Sequence, residues 1–186
     1  MPTNVPVESI ALSPVVQLGW VVDDVDTAVH QWVRLTGAGP FFVKRHVQLN
    51  GITYRGEPSA FDHSMAAGWW GCVEVELMQQ HCDNPSALRD QFAPGETGIV
   101  SVTWFAPDIH AEIKRMNDMG FPTVHIIGDE RGVPVAWFDT RAALGTMVEV
   151  YQDEPKRRAR KKAIADASIG WNGEDPLRAG ESLVVP

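Results

Sequence analysis

Cysteine is scarce in this chain. Cys72 and Cys82 are the only two among 186 residues, and their spacing forms no CxxC pair. That argues against a disulfide framework, and each is read as a reduced thiol of a cytoplasmic protein. No apolar run approaches the roughly eighteen residues a membrane span needs. The opening "MPTNVPVESIALSP" lacks a basic start followed by an apolar core, so no signal peptide is expected. Net positive charge is also absent. The formal charge is −8, which argues against a general nucleic-acid binder.

What basic charge there is sits together. "KRRARKK", 156–162, holds six basic residues in seven; without it ten basic residues face 24 acidic ones. Such a run could meet an anionic partner, such as a phosphate-bearing cofactor tail. The plainer reading, preferred here, is the solvated face of a C-terminal helix lying on an acidic body.

The stretch "VEVELMQQ", 73–80, reads as a buried strand, yet it carries Glu74 and Glu76 on one face. Buried strands do not ordinarily carry charge inward. A repeat in the chain gives that charge a context. "VQLGWVVDDVDTAVHQWVRLTGAG" from Val16 and "VSVTWFAPDIHAEIKRMNDMGFP" from Val100 share one pattern, offset by 84. Each is an apolar strand, an Asp, then a helical periodicity. Asp24 and Asp108 are expected N-caps. Val25, Ala28, Val29 and Trp32 form one apolar stripe, and Ile109, Ile113 and Met116 the other. Gly37 and Gly120 stand where left-handed caps would end the helices. Short strands follow each helix, closing with "VEVELMQ" in one half and "MVEVYQ" in the other, so Glu76 and Glu149 are partners in the repeat.

The expected fold is therefore α+β: two tandem βαβββ modules, about 14–80 and 98–152, joined by a linker, 81–97. They would form a curved mixed sheet with a concave ligand trough. Residues 153–186 would add a C-terminal helix and tail to the 1–152 body.

In that order of elements the chain resembles the vicinal oxygen chelate superfamily, which includes glyoxalase I, methylmalonyl-CoA epimerase, extradiol dioxygenases and bleomycin-resistance proteins. The likeness rests on "QLGWVVDDVDTAVHQWVRLTGAGPFF", "VELMQ", "GIVSVTWFAPDIHAEIKRMNDMGF" and "AWFDTRAALGTMVEVYQ", roughly residues 14–152. The tail "ADASIGWNGEDPLR" also resembles the extension of a bacterial branch near the epimerases. In catalytic members, each half gives a divalent metal one ligand from its first strand, usually His, and one from its last, usually Glu. By position the resemblance puts Gln17 and Ser101 at the first pair of sites and Glu76 and Glu149 at the second. This chain departs at both imidazole positions. Oxygen-only sites suit Mg²⁺ or Mn²⁺ and hold Zn²⁺, Ni²⁺ or Fe²⁺ poorly. No cofactor is expected beyond a weakly bound divalent metal on Gln17, Glu76 and Glu149, and an iron dioxygenase is disfavoured.

Of the six histidines, His30 and His110 lie off the helical stripes and His81 follows a strand end. His46, His63 and His125 sit on strand-like segments and could reach the trough; His63 is the preferred acid or base among them. Without a metal, burial and mutual repulsion would raise a glutamate pKa toward the range useful for proton transfer. The plainer alternative is that Glu76 and Glu149 simply hydrogen-bond Gln17, Ser101 and water. Gln17 and Ser101 are expected to orient the substrate or a weak metal, and Thr103, Phe105, Met78, Trp69, Trp137 and Tyr151 to form the ligand-binding walls. Trp20, Trp32 and Trp104 are assigned to the core beneath the helices. Glu74 is given no role.

The resulting expectation is a lyase or isomerase of this superfamily, moving protons with carboxylates on an apolar carbonyl compound or acyl thioester, with weak or no metal dependence. Two alternatives stay open: a non-catalytic, resistance-type binder of an aromatic small molecule, and a metal-dependent epimerase. The resemblance also implies a homodimer that takes a hydrophobic or aromatic small molecule, with no nucleic-acid or membrane partner.

Overall fold

The computed structural model describes residues 14–185. Most of the segment read as lacking a signal peptide, residues 1–13, lies outside that range. In chain order the elements are β1 (Gln17–Val21), α1 (Val25–Thr36), β2 (Phe41–Lys44), β3 (Asn50–Tyr54), β4 (Glu57–Pro58), β5 (His63–Trp70) and β6 (Val73–Gln80). There follow β7 (Gly98–Ala106), α2 (Ile109–Asp118), β8 (Thr123–Gly128), β9 (Pro134–Phe138), the short α3 (Arg141–Leu144) and β10 (Met147–Gln152). The C-terminal part gives α4 (Pro155–Ser168) and β11 (Leu177–Ala179).

The helices start where the sequence says. Asp24 accepts from the Thr27 amide at 2.8 Å, and Asp108 from the His110 and Ala111 amides at 2.9 and 3.1 Å. Gly37 ends α1 in the left-handed region. In α2 the helix stops one residue sooner relative to its glycine, at a cap on Met119, with left-handed Gly120 just beyond. Each helix lays its stripe on the convex side of the sheet. Val25, Ala28 and Val29 pack with Phe41, Ala66, Val75 and Leu77, joined by Trp20 and Trp32. Ile109 and Met116 pack with Phe138, Val148 and Val150, joined by Trp104. Each fully buried Val or Ile here contributes about 1.5–3 kcal/mol.

The strands form one mixed sheet in the order β11-β2-β5-β6-β1-β7-β10-β9-β8-β3-β4. Strands β2-β5-β6-β1 and β7-β10-β9-β8 mirror one another across the antiparallel β1–β7 seam. This is the duplicated arrangement the repeat implies. Two features differ from a bare pair of βαβββ modules. The β3–β4 hairpin leaves the first half and joins β8, the far strand of the second, through Tyr54↔His125 and Thr53↔Ile126. The tail is also more than helix and loose end: β11 adds a parallel strand to β2 at the opposite edge. Both additions occupy sheet edges that would otherwise show unpaired backbone groups.

Gly19 makes the central seam possible. A Cβ there would lie 2.4 Å from Ser101 Oγ and 2.9 Å from Met78 Cε. Cys72 and Cys82 remain free thiols. No helix among the described residues is long and apolar enough to cross a membrane.

Candidate functional site

Alternation along the strands decides what faces the trough. Pairing sets Glu76 of β6 beside Gly19 of β1, and Glu149 of β10 beside Thr103 of β7, so the two glutamates flank the seam symmetrically. The trough holds a cavity of about 470 Å³. Glu76, Glu149 and Tyr151 lie at one end. Phe61, Met65, Met78, Leu88, Ile127, Val135 and Trp137 form its apolar walls, and His63 and His125 line it too.

Gln17, fully buried, sits beneath the carboxylates and ties them together. Its Nε2 donates to Glu76 Oε2 at 2.7 Å, to Glu149 Oε2 at 3.3 Å and to the Tyr151 hydroxyl at 3.1 Å. Thr103 Oγ1 adds a bond to Glu149 Oε2 at 2.9 Å. Burial pushes both carboxyl groups up, Glu76 to about 7 and Glu149 to about 8. After burial, the charge of Glu74 raises Glu76 further, and the charge of Glu76 raises Glu149. The two therefore titrate as a pair. Burial and the neighbouring carboxylates hold the Tyr151 hydroxyl protonated.

The roof comes from α4, and here the structure departs from the preferred reading of the basic run. The run does not simply face solvent. Arg157, Arg160 and Lys161 turn inward and line the cavity. Lys161 Nζ donates to Gln17 Oε1 at 2.6 Å and to Glu74 Oε1 at 3.0 Å. Arg157 lies over the Tyr151 ring, 4.9 Å from its centroid. The reason is packing: Ile164 on the same helix docks on Phe42 and Ala67, on the concave side of β2 and β5. That docking carries the residues one and two turns earlier over the carboxylates. Glu74, given no role from sequence, is thus part of this network. It is fully buried, and its Oε2 has no partner among the described residues.

Of the residues singled out from sequence, Glu76, Glu149, His63, Met78, Trp137 and Tyr151 line the cavity together. Gln17 and Thr103 hold the carboxylates from below. Ser101 is buried, but its Oγ has no hydrogen-bond partner among the described residues and abuts Gly19 instead of a glutamate. Phe105 and Trp69 face the trough but lie outside the cavity wall, because α4 covers them. Arg158 lies 4.9 Å over the Phe105 ring, and Trp69 packs against the cluster around Ile164. His63 lies 4.9 Å from the Phe61 ring, and burial lowers its pKa to about 4, so it is neutral at pH 7. His125, one of the strand histidines placed within reach of the trough, lines it and bonds the Thr53 carbonyl through Nδ1 at 2.7 Å; its Nε2 has no partner among the described residues. Lys161 and Glu74 were missed as a pair. The signal was present: positions 157, 161, 164 and 168 share one helical stripe that contains Ile164.

The trough does not fit the divalent metal that the fold would imply. The Gln17 amide turns its nitrogen, not its oxygen, to the glutamates, and Ser101 does not reach them. Among the described residues, the metal-type side chains that converge closely are His46, Asp62 and His81, outside the trough lining.

The family described as Glyoxalase/Bleomycin resistance protein/Dioxygenase superfamily matches residues 16–156. No curated protein matches the chain significantly. Among solved structures, the chain is similar to methylmalonyl-CoA epimerase from Mycobacterium tuberculosis, at 18% identity and a TM-score of 0.53, covering 81% of this chain and 96% of that one. A hypothetical protein from Bacillus halodurans aligns at 17% identity and a TM-score of 0.54, covering 78% and 97%. A Streptomyces coelicolor methylmalonyl-CoA epimerase variant in complex with 2-nitronate-propionyl-CoA aligns at 13% identity and 0.52, covering 78% and 100%. At these identities the likeness concerns the fold.

Proposed function

Because the chain belongs to the Glyoxalase/Bleomycin resistance protein/Dioxygenase superfamily, we propose that its trough is a proton-transfer site: a lyase or isomerase acting on an apolar carbonyl compound or acyl thioester. The observation that carries this is the Glu76–Glu149 pair, joined through Gln17 and set at the end of an apolar cavity. Two carboxyl groups held this way share protons at neutral pH, so one can accept while the other donates.

The chemistry balances within the site. An ionised glutamate takes the proton from the carbon beside the carbonyl, and the electron pair moves onto the carbonyl oxygen. The Tyr151 hydroxyl and the charges of Lys161 and Arg157 offset the developing negative charge. The protonated glutamate returns a proton to carbon, which completes an isomerisation; loss of a β-substituent instead completes an elimination. The apolar walls select the body of the substrate.

Phe61 and Trp137 in those walls also favour the rival reading, an aromatic binder without catalysis. One experiment separates the two. The protein is incubated in D₂O with 2-methyl-branched acyl thioesters and with aryl ketones, and deuterium at the α-carbon is read by mass spectrometry. Binding is followed in parallel by the protein's intrinsic tryptophan fluorescence, to which the cavity residue Trp137 contributes. The expected result is exchange that falls by about 10²-fold or more in Glu76→Gln and Glu149→Gln while binding persists. Tight binding without exchange in the wild type would replace the enzyme reading with the binder.

A further inference from the structure

Gln17 has two chemically different ends, and its neighbours fix which way they point. An ammonium can only donate hydrogen bonds. Lys161 Nζ lies 2.6 Å from one end of the amide, so that end is the oxygen. The NH₂ end must then face Glu76 and Glu149, at 2.7 and 3.3 Å. A divalent ion between the carboxylates would need the opposite orientation, with the amide oxygen turned to it. Turning the amide would set its NH₂ against the ammonium, donor against donor.

The charge count runs the same way. Glu74, Glu76 and Glu149 are three acidic side chains buried around Gln17. Lys161 approaches them from α4, with its side chain 10% exposed and its ammonium 3.0 Å from Glu74. Arg160, at 3.8 Å from Glu74, is the nearest further cation. Glu74 has no counterpart in the second half, where pairing with Ser101 places the apolar Met147 at the matching position. The additional acid and the lysine thus occur together, on the half of the trough where Ile164 docks α4.

We propose that the Lys161 ammonium is the resident cation of this trough, and that by fixing Gln17 it closes the site to divalent metals. The C-terminal helix supplies from within the chain the positive charge that the fold otherwise draws from a bound ion. This stands apart from the proton-transfer reading: a binder with the same helix would exclude metals equally, and the test below reads binding, not turnover.

The test is Mn²⁺ titration of the full chain, with free Mn²⁺ followed by electron paramagnetic resonance. Wild type is expected to take up no Mn²⁺ at the trough up to about 1 mM. Lys161→Ala frees Gln17 to turn and leaves oxygens from Gln17, Glu74, Glu76 and Glu149, a donor set that suits Mn²⁺. It is expected to bind a single Mn²⁺ at least about 10-fold more tightly than wild type. Adding Glu76→Gln or Glu149→Gln to that variant abolishes the gain, and Lys161→Arg behaves as wild type. Stoichiometric Mn²⁺ on the wild type that is lost in Glu76→Gln overturns the proposal. So does a folded Lys161→Ala that binds no Mn²⁺. If Lys161→Ala and Lys161→Gln do not fold alone, Mn²⁺ in the refolding buffer should restore their circular dichroism; refolding indifferent to Mn²⁺ also overturns the proposal.

Discussion

Glu74 and Lys161 form a buried ion pair, 3.0 Å from carboxylate oxygen to ammonium, between the centre of the sheet and the C-terminal helix. A pair of this kind is costly to break from one side, because the remaining charge stays buried without its partner. Glu74→Leu and Lys161→Met are each expected to destabilise the protein by about 3–5 kcal/mol. The double variant Glu74→Leu/Lys161→Met should lose far less than the sum. Urea denaturation of the four proteins measures this; additive losses would show that the two side chains are not coupled.

Gly19 sets how closely β1 and β7 approach. Its added Cβ would meet the Ser101 hydroxyl and the Met78 methyl. Gly19→Ala should therefore cost about 1–3 kcal/mol, the usual penalty for overpacking. Ser101→Ala should cost little by itself, since its hydroxyl has no partner to lose. In the Gly19→Ala background the same change should recover part of the loss, because it removes the nearer of the two obstructing atoms. A double-mutant cycle by chemical denaturation reads the coupling, and a cycle without positive coupling would mean the strain is relieved elsewhere.

The fold was legible in the sequence because its determinants are local and doubled. Asp24 and Asp108 cap, the stripes after them bury, and the offset of 84 repeats both. The end of the trough followed from the same repeat, which pairs Glu76 with Glu149. What stayed hidden depends on contacts distant in sequence. Nothing near residues 50–58 shows that β3 will cross to β8, since a short strand carries no sign of its partner. Phe105 and Trp69 have the parity of trough residues, and only the docking of Ile164 removes them from the cavity. Lys161 and Glu74 lie 87 positions apart, and composition offers a solvated helix as the simpler account of a basic run.

The Glu76–Glu149 pair also makes a pH-dependent contribution to stability. Their folded pKa values, about 7 and about 8, lie above the ordinary 4.5, so the fold favours their neutral forms. That contribution is fully present below about pH 4.5 and is lost as pH rises through the folded values. His63 works in the other direction: its pKa is lowered from 6.5 to about 4, so its contribution is present above 6.5 and lost as pH falls toward 4. Thermal midpoints should accordingly fall on the alkaline side, between about pH 6 and pH 9. Glu76→Gln/Glu149→Gln should flatten that limb and leave the acid limb in place. Parallel curves for the variant and wild type would mean that other groups carry the alkaline loss.

The two cavity histidines make a sharper spectroscopic prediction. His125 Nδ1 lies 2.7 Å from the Thr53 carbonyl, which can only accept, so Nδ1 must carry the proton. Nε2 is then a bare acceptor on the cavity side, and burial lowers the ring's pKa so that it stays neutral. Long-range ¹H–¹⁵N spectra of the protein near neutral pH should show His125 as the Nδ1–H tautomer, the less common form for a free imidazole. His63, also neutral, should begin to titrate only as pH approaches about 4. A ligand that donates a hydrogen bond in this half of the cavity should shift His125 Nε2 and leave Nδ1 nearly unchanged, because Thr53 continues to hold it. Observation of the Nε2–H tautomer would break the Thr53 bond as described and remove the acceptor from the cavity wall.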